Sequence, residues 1–172
     1  MAEVVGSAAG LRKDQLPLMA VVNTTSPLNN DPGELDAFFE YLRPGVPIMI
    51  APEVQAGATA PATIAGALVQ ATAEFLALAC VAQLVNPGNP LVYGTVSSVF
   101  DMKKMMLPYG APEADLFSIA TAQIARYYGI PSRGTGGSSD ANAIGTQTGV
   151  ESLMSNLSCL LAGVTYVNHS GG

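Results

Sequence analysis

The chain has one histidine, two cysteines and only seven lysines and arginines in 172 residues. One histidine among many serines gives a Ser–His–Asp arrangement no specific signal. No spacing of His, Cys, Asp and Glu resembles a zinc site, so no metal is expected. Cys80 and Cys159 both fall in predicted helices, where buried free thiols are the ordinary expectation rather than a disulfide. Thirteen acidic residues outnumber the basic ones and give a net charge of −6, which argues against a nucleic-acid partner. Charged residues make up 12% and hydrophobic ones 49%, so disorder is also argued against. No G-x-G-x-x-G follows the first strand and no P-loop is present. The N-terminus, MAEVVGSAAGLRKDQ, lacks the basic start and apolar core of a signal peptide. The most apolar window, after Glu74, is interrupted by Gln83 and falls short of the ~20 residues a membrane span needs. The expectation is a cytoplasmic protein with no membrane partner.

What is present is organised around residues 46–90. An apolar run at 46–51, bounded by Pro44-Gly45 and Pro52, reads as a buried strand with its paired part at 48–51. A small-residue loop with Glu53, Gln55 and Gly57 follows. A long Ala-rich helix is then started by Thr59 and Pro61 and stopped by Asn86-Pro87-Gly88. Between residues 54 and 100 the only charge is Glu74, and a segment so poor in charge is normally buried on most sides. That helix puts Ile64, Leu68, Phe75, Ala79 and Leu84 on or near one face.

Around this unit, residues 1–15 read as the end of a helix and 16–22 as a first strand. Asp31, Pro32 and Glu34 start a helix whose apolar stripe is Leu35, Phe38, Phe39 and Leu42, and Gly45 ends it. Residues 91–93 form a third strand and 112–128 a helix capped by Gly129. A fourth strand spans 130–133. The last helix, 146–162, carries Val150, Leu153, Met154, Leu157 and Leu161 on one stripe, and a fifth strand spans 164–167. Strands and helices alternate, which implies an α/β protein with a parallel sheet and crossover helices. An open doubly wound sheet and a (β/α)8 barrel both fit. A full barrel needs roughly 200 residues or more, so a barrel would be incomplete here, with residues 1–172 as one partial domain.

Both architectures place their sites at the C-terminal ends of strands, where Asn23, Glu53, Tyr93, Arg133, Asn168 and His169 gather. Glu53 sits in an apolar setting, where a carboxylate is costly unless paired or used. A lone histidine is more often structural than catalytic, and the place of His169 after a strand brings the two readings level. Gln147 and Glu151, one turn apart at the start of the last helix, are either a helix-terminus feature or part of the site wall. The aromatic residues Tyr93, Phe100, Tyr127, Tyr128 and Tyr166 could present faces to a quaternary cation, or simply pack. Gly134-Thr135-Gly136-Gly137 could cradle a phosphate through backbone amides, or simply connect two elements.

The order of loop motifs adds a family. Ser26-Pro27-Leu28, the run from Ala56 to Pro61, Gln83-Leu84-Val85-Asn86-Pro87-Gly88, Val92-Tyr93-Gly94, the run from Ala125 to Arg133, Gln147-x-Gly149-x-Glu151 and Leu161-Ala162-Gly163 recur in one order. The chain in this respect closely resembles the trimethylamine–corrinoid methyltransferase family, which includes relatives acting on glycine betaine and other quaternary amines. It departs at Asp140-Ala141-Asn142 and at Gly145, where the family usually has Asp-Ser-Lys and an Asp. The resemblance implies a (β/α)8 barrel, of which this would be a central portion. It implies transfer of a methyl group from a small methylated amine to the Co(I) corrinoid (cobalamin) of a separate carrier protein. No cofactor would be bound directly, and a homo-oligomer is expected. On that reading Glu53 and His169 serve catalysis, while Asn23, Tyr93, Arg133, Gln147, Glu151 and Asn168 bind substrate. The trimethylamine branch uses pyrrolysine, encoded by an in-frame amber codon whose place is expected just after His169-Ser170-Gly171-Gly172. The alternatives are a non-catalytic amine-binding barrel or inactive fragment, and a lyase or aldolase barrel using the glycine loop for phosphate.

Overall fold

The computed structural model describes residues 18–42 and 46–170, together with Ala8 and Gly10. The helix end expected in residues 1–15 (apart from those two), Leu16 and Pro17 at the head of the first strand, the Gly45 helix stop and Gly171-Gly172 lie outside the described residues.

Among the described residues, four helices alternate with the strands of a five-stranded sheet. The order is β1 (Ala20–Val22), α1 (Pro32–Leu42), β2 (Ile48–Ile50), β3 (Gln55–Ala56), α2 (Ile64–Val85), β4 (Leu91–Gly94), β5 (Ser98–Val99), α3 (Pro112–Tyr127), β6 (Ser132–Thr135), α4 (Thr146–Leu161) and β7 (Tyr166–Asn168). The sheet runs β1-β2-β4-β6-β7, and every neighbouring pair is parallel. Each strand lies beside the strand that follows the next helix. A doubly wound sheet reverses its strand order at a switch point; this one never does. Right-handed crossovers without reversal put all helices on one face, and the sheet curls away from them. The result is a curled parallel half-barrel.

Alternation along the strands assigns the two faces. The registers Ala20↔Ile48, Val22↔Ile50 and Ile50↔Tyr93 place these side chains together on the helix side. They join Phe38, Leu42, Phe75, Leu78, Ala79 and Ala82 in the main core. Phe75 and Tyr93 stack there with ring centroids 4.3 Å apart. The opposite face carries Gly94↔Arg133↔Tyr166 and Thr135↔Asn168. This concave face is polar at β6 and β7, whereas its β1, β2 and β4 positions, Val21↔Met49↔Val92, are apolar.

The short β3 and β5, unforeseen in the sequence, pair in parallel above the C-terminal ends of β2 and β4. With Val54, Ala67, Ala71 and Phe117 they form a second, smaller core beside the mouth of the half-barrel.

Several local expectations shift. Asp31 accepts hydrogen bonds from Gly33 N and Glu34 N at 2.8 and 3.4 Å, as an N-cap should. Helix α2 starts later than Thr59-Pro61: its N-cap is Thr63, whose hydroxyl accepts from Gly66 N. Leu84 is 83% exposed rather than on the packed face. At 22 residues and mean hydropathy 1.8, α2 is long and apolar enough by composition to cross a membrane, contrary to the expectation that no segment would be. It nevertheless carries the buried Glu74 and packs its Ala67, Ala71, Phe75, Leu78 and Ala82 into the two cores. Cys80 is exposed, not buried; Cys159 is buried, and both thiols are free.

The largest departure is α4. Its stripe of Val150, Leu153, Met154, Leu157 and Leu161 faces outward, and the residues turned inward are Ser155 and Cys159. The glycines of β6 supply the reason. A Cβ on Gly134 would lie 2.8 Å from Cys159 Sγ, and one on Gly136 would lie 2.6 Å from Val167 Cγ1 and 2.8 Å from Asn156 Oδ1. The helix rides so close to the strand that only small side chains fit between them.

Candidate functional site at the carboxyl edge of the sheet

A cavity of about 280 Å³ opens at the C-terminal ends of the strands, lined by Glu53, Val96, Tyr109, Thr135, Ser138, Ser139 and His169. Two larger hollows, about 420 and 450 Å³, lie on the outer side around α2 and α3 and are lined by apolar residues with no charged side chain. The smaller cavity is where the chemistry gathers.

Glu53 follows β2 and stands exposed at the mouth. Asn23, following β1, donates to it from Nδ2 at 3.3 Å. Burial of the carboxyl among its neighbours raises the Glu53 pKa above the usual carboxylate value; the positive charge of Arg133 opposes the rise and Glu34 adds to it.

Arg133 comes from β6 on the concave face and is 2% exposed. Its Nη1 donates to the Thr95 carbonyl at 3.0 Å, and its Nε has no partner among the described residues. Burial lowers its pKa, and Glu53 is the leading influence in the other direction. Its stem crosses β4 over Gly94, where a Cβ would meet Arg133 Cδ at 2.7 Å and Cβ at 2.8 Å. Gly94 is therefore glycine because the arginine occupies that space. The charge of Arg133 is felt across the cavity by Glu53, Tyr109 and His169.

His169 follows β7 with a φ of 65° and lines the cavity. Its pKa is lowered first by burial and then by Arg133, both of which favour the neutral imidazole. Asn168 Oδ1 accepts from His169 N at 3.0 Å and Asn168 O from Gly136 N at 3.0 Å, so Asn168 shapes the backbone here. Tyr109 faces the same space, with its pKa raised by burial and then by Glu53.

Of the sequence-predicted residues, Glu53 and His169 line the cavity; Asn23 reaches it through its bond to Glu53 and Asn168 through the His169 amide, while the buried Arg133 stands behind the lining and acts on Glu53 and His169 by its charge. Tyr93 does not: it points to the helix side, with its hydroxyl 3.1 Å from Thr72 Oγ1 and its pKa pushed up to about 12, mainly by burial. Strand alternation gives the concave place to Gly94 instead. Gln147 and Glu151 do not line the cavity. Gln147 Nε2 donates to Glu151 Oε1 at 2.8 Å, and Glu151 Oε2 accepts from Ser139 Oγ and Asp140 N at 2.7 and 2.9 Å. These bonds hold the pKa of Glu151 below its usual value. The glycine run is no phosphate cradle, since Gly136 N and Gly137 N are engaged by Asn168 O and Ser155 Oγ.

Sequence reasoning missed Tyr109, Thr135, Ser138 and Ser139. Thr135 was within reach, two residues from Arg133 on one strand. It also passed over Glu74 as a builder of the site. This buried carboxylate takes hydrogen bonds from Thr24 Oγ1, Ser26 Oγ (2.8 Å), Leu28 N (2.9 Å) and Gln70 Nε2 (3.0 Å). It fixes the loop after β1 that carries Asn23.

Consecutive parallel βα units with a cavity at the carboxyl edge of the sheet define a class of α/β protein that handles a small molecule there. A family model described as trimethylamine methyltransferase (MTTB) matches residues 1–172, and the chain belongs to that family. A glycine betaine methyltransferase of Desulfitobacterium hafniense is 41% identical over 160 residues, covering 93% of this chain and 33% of the relative. A proline betaine:corrinoid methyltransferase of Eubacterium limosum is 36% identical, covering 92% and 33%. A trimethylamine methyltransferase of Methanosarcina thermophila is 35% identical, covering 86% and 30%. The chain spans about a third of the length of these relatives.

Proposed function

We propose that the protein containing this chain transfers a methyl group from a carboxylate-bearing quaternary amine, of the betaine type, to the corrinoid of a partner protein. The observation that carries the substrate choice is Arg133. A buried arginine with no carboxylate partner among the described residues and an unpaired Nε is costly to hold, and a bound carboxylate relieves that cost. Trimethylamine has no carboxylate to offer; a betaine has one. The positive nitrogen of the same molecule finds Glu53 at the mouth, with Asn23 holding the carboxylate oxygen that faces it.

The chemistry favours the same choice. Methyl transfer needs a positive nitrogen as leaving group. A quaternary nitrogen carries that charge at every pH and leaves as a neutral tertiary amine, so the protein supplies no proton. The Co(I) corrinoid supplies the electron pair that accepts the methyl group. This chain's residues bind, orient and exclude water. A neutral His169 avoids adding a second cation beside the substrate. The names of the two betaine-specific relatives support the reading.

The test is methyl transfer by the full-length protein to a Co(I) corrinoid carrier, with glycine betaine, tetramethylammonium and trimethylamine as donors. Glycine betaine should be the best donor. Tetramethylammonium has the same charged head without the carboxylate, and equal turnover of it would overturn the role given to Arg133. Turnover of trimethylamine alone would reverse the substrate choice. Binding without turnover would mark an amine-binding protein.

A further inference from the structure

We propose that Asp140 and Glu151 form a strut that positions the cavity wall opposite Glu53, and so sets how large a head group the cavity admits. The second half of the statement rests on the functional reading above. Three of the seven lining residues, Tyr109, Ser138 and Ser139, stand on two irregular loops. Neither loop has a helix or strand to hold its rim. Both converge instead on two carboxylates.

Asp140 accepts from Tyr109 N at Oδ1 (3.0 Å) and from Gly110 N at Oδ2 (2.9 Å). The backbone of Asp140 and the hydroxyl of Ser139 both donate to one oxygen of Glu151. Glu151 belongs to α4, and Gln147 one turn earlier steadies its other oxygen. The path therefore runs from the loop with Tyr109, through Asp140, through the glycine-rich loop, to a helix. Gly110 shows how tightly the three parts close. A Cβ there would lie 2.5 Å from Glu151 Oε2 and 2.9 Å from Asp140 N. Among the described residues no side-chain cation takes part; backbone amides, the Ser139 hydroxyl and the Gln147 amide do the donating.

The strut lies outside both hydrophobic clusters. The root of the glycine-rich loop has its own ties, Gly137 N to Ser155 Oγ at 2.9 Å and Ser152 Oγ to Gly137 O at 3.1 Å. Losing Glu151 should thus free the rim and leave the fold in place. Glu151 is a positioning residue that acts through Ser139 and Asp140 on Tyr109, and Glu151→Gln should preserve it. A glutamine carbonyl can still accept from Ser139 and Asp140, and Gln147 can turn its own carbonyl toward the new amide.

The experiment uses the full-length protein with two readouts. The first is amide hydrogen exchange. In Glu151→Ala, exchange at Tyr109 and Gly110 should quicken by about tenfold, while the amides of β4 and β6 keep their protection. The second is the ratio of kcat/KM for proline betaine over glycine betaine. It should rise by about tenfold as the wall loosens, because pocket discrimination by a few carbons is of that size. Glu151→Gln should return both readouts to wild type. Unchanged exchange at Tyr109 and Gly110, or loosening spread equally through β4 and β6, overturns the strut. A ratio that stays fixed while exchange quickens overturns its part in selecting substrate. A wild-type protein that demethylates neither betaine sinks the functional reading, and exchange then decides the strut.

Discussion

The two faces of the sheet are built of different materials. On the helix face, Ala20, Val22, Ile48, Ile50 and Tyr93 meet Phe38, Leu42 and Phe75 in a close-packed apolar layer. On the concave face, Arg133, Thr135 and Asn168 stand beside Gly94, and the guanidinium keeps a donor unpaired. Burial on the first face is a source of stability; burial on the second is a cost that a ligand can offset. The contrast teaches that residue parity separates fold from site along β6 and β7, while on β1, β2 and β4 the concave parity still carries Val21, Met49 and Val92.

The comparison can be broken most severely at Phe75. Phe75→Ala removes the ring stacked on Tyr93, and chemical denaturation should show a loss of about 3–5 kcal/mol. Glu74→Ala comes next. It strands the donors of the loop after β1 in a buried place, and a loss of about 2–4 kcal/mol is expected in the same measurement. Arg133→Gln should do the reverse kind of damage. Denaturation should move little, while kcat/KM for a betaine falls by roughly a hundredfold, the size of a lost charged hydrogen-bond pair. Tyr93→Phe sharpens the contrast from the helix face. It deletes the bond to Thr72 and should cost about 1 kcal/mol of stability with turnover unchanged.

The smallest effect is a pH dependence at Glu53. Its folded pKa lies above 4.5, so the folded state binds the proton more tightly than the unfolded one. Its contribution is fully present below pH 4.5 and is lost as pH rises through the folded value. The wild-type denaturation midpoint, compared with that of Glu53→Gln across this window, should fall slightly further on going up in pH. Identical pH slopes in the two proteins would remove Glu53 from this account.

The sequence yielded the alternation of elements and the strand-end positions of Asn23, Glu53, Asn168 and His169, because both follow from local punctuation and period; Arg133, read as the end of a strand at 130–133, is instead the second residue of Ser132–Thr135. It yielded less wherever a contact between distant segments decides. Tyr93 reads as a strand-end residue, but the registers with Ile50 and Ser132 turn it to the helices. The apolar stripe of α4 reads as a core face, yet the close approach of Gly134 to Cys159 hands that face to small residues. Strands of two residues, as at Gln55–Ala56 and Ser98–Val99, are too short to show a period. Tyr109 lines the cavity from an irregular loop, its amide bonded to Asp140, 31 positions later, and no local period marks such a contact.

Gly94 and Arg133 are register partners, and the arginine stem fills the space where the glycine has no side chain. A Cβ at 94 would meet the Cβ of Arg133 at 2.8 Å as well as its Cδ at 2.7 Å, so exchanging the arginine for any residue that keeps a Cβ leaves position 94 closed. A lineage that acquires a side chain at 94 must first bring glycine to 133. The two sites should drift together, and the order of substitutions along such a lineage is constrained to begin at 133.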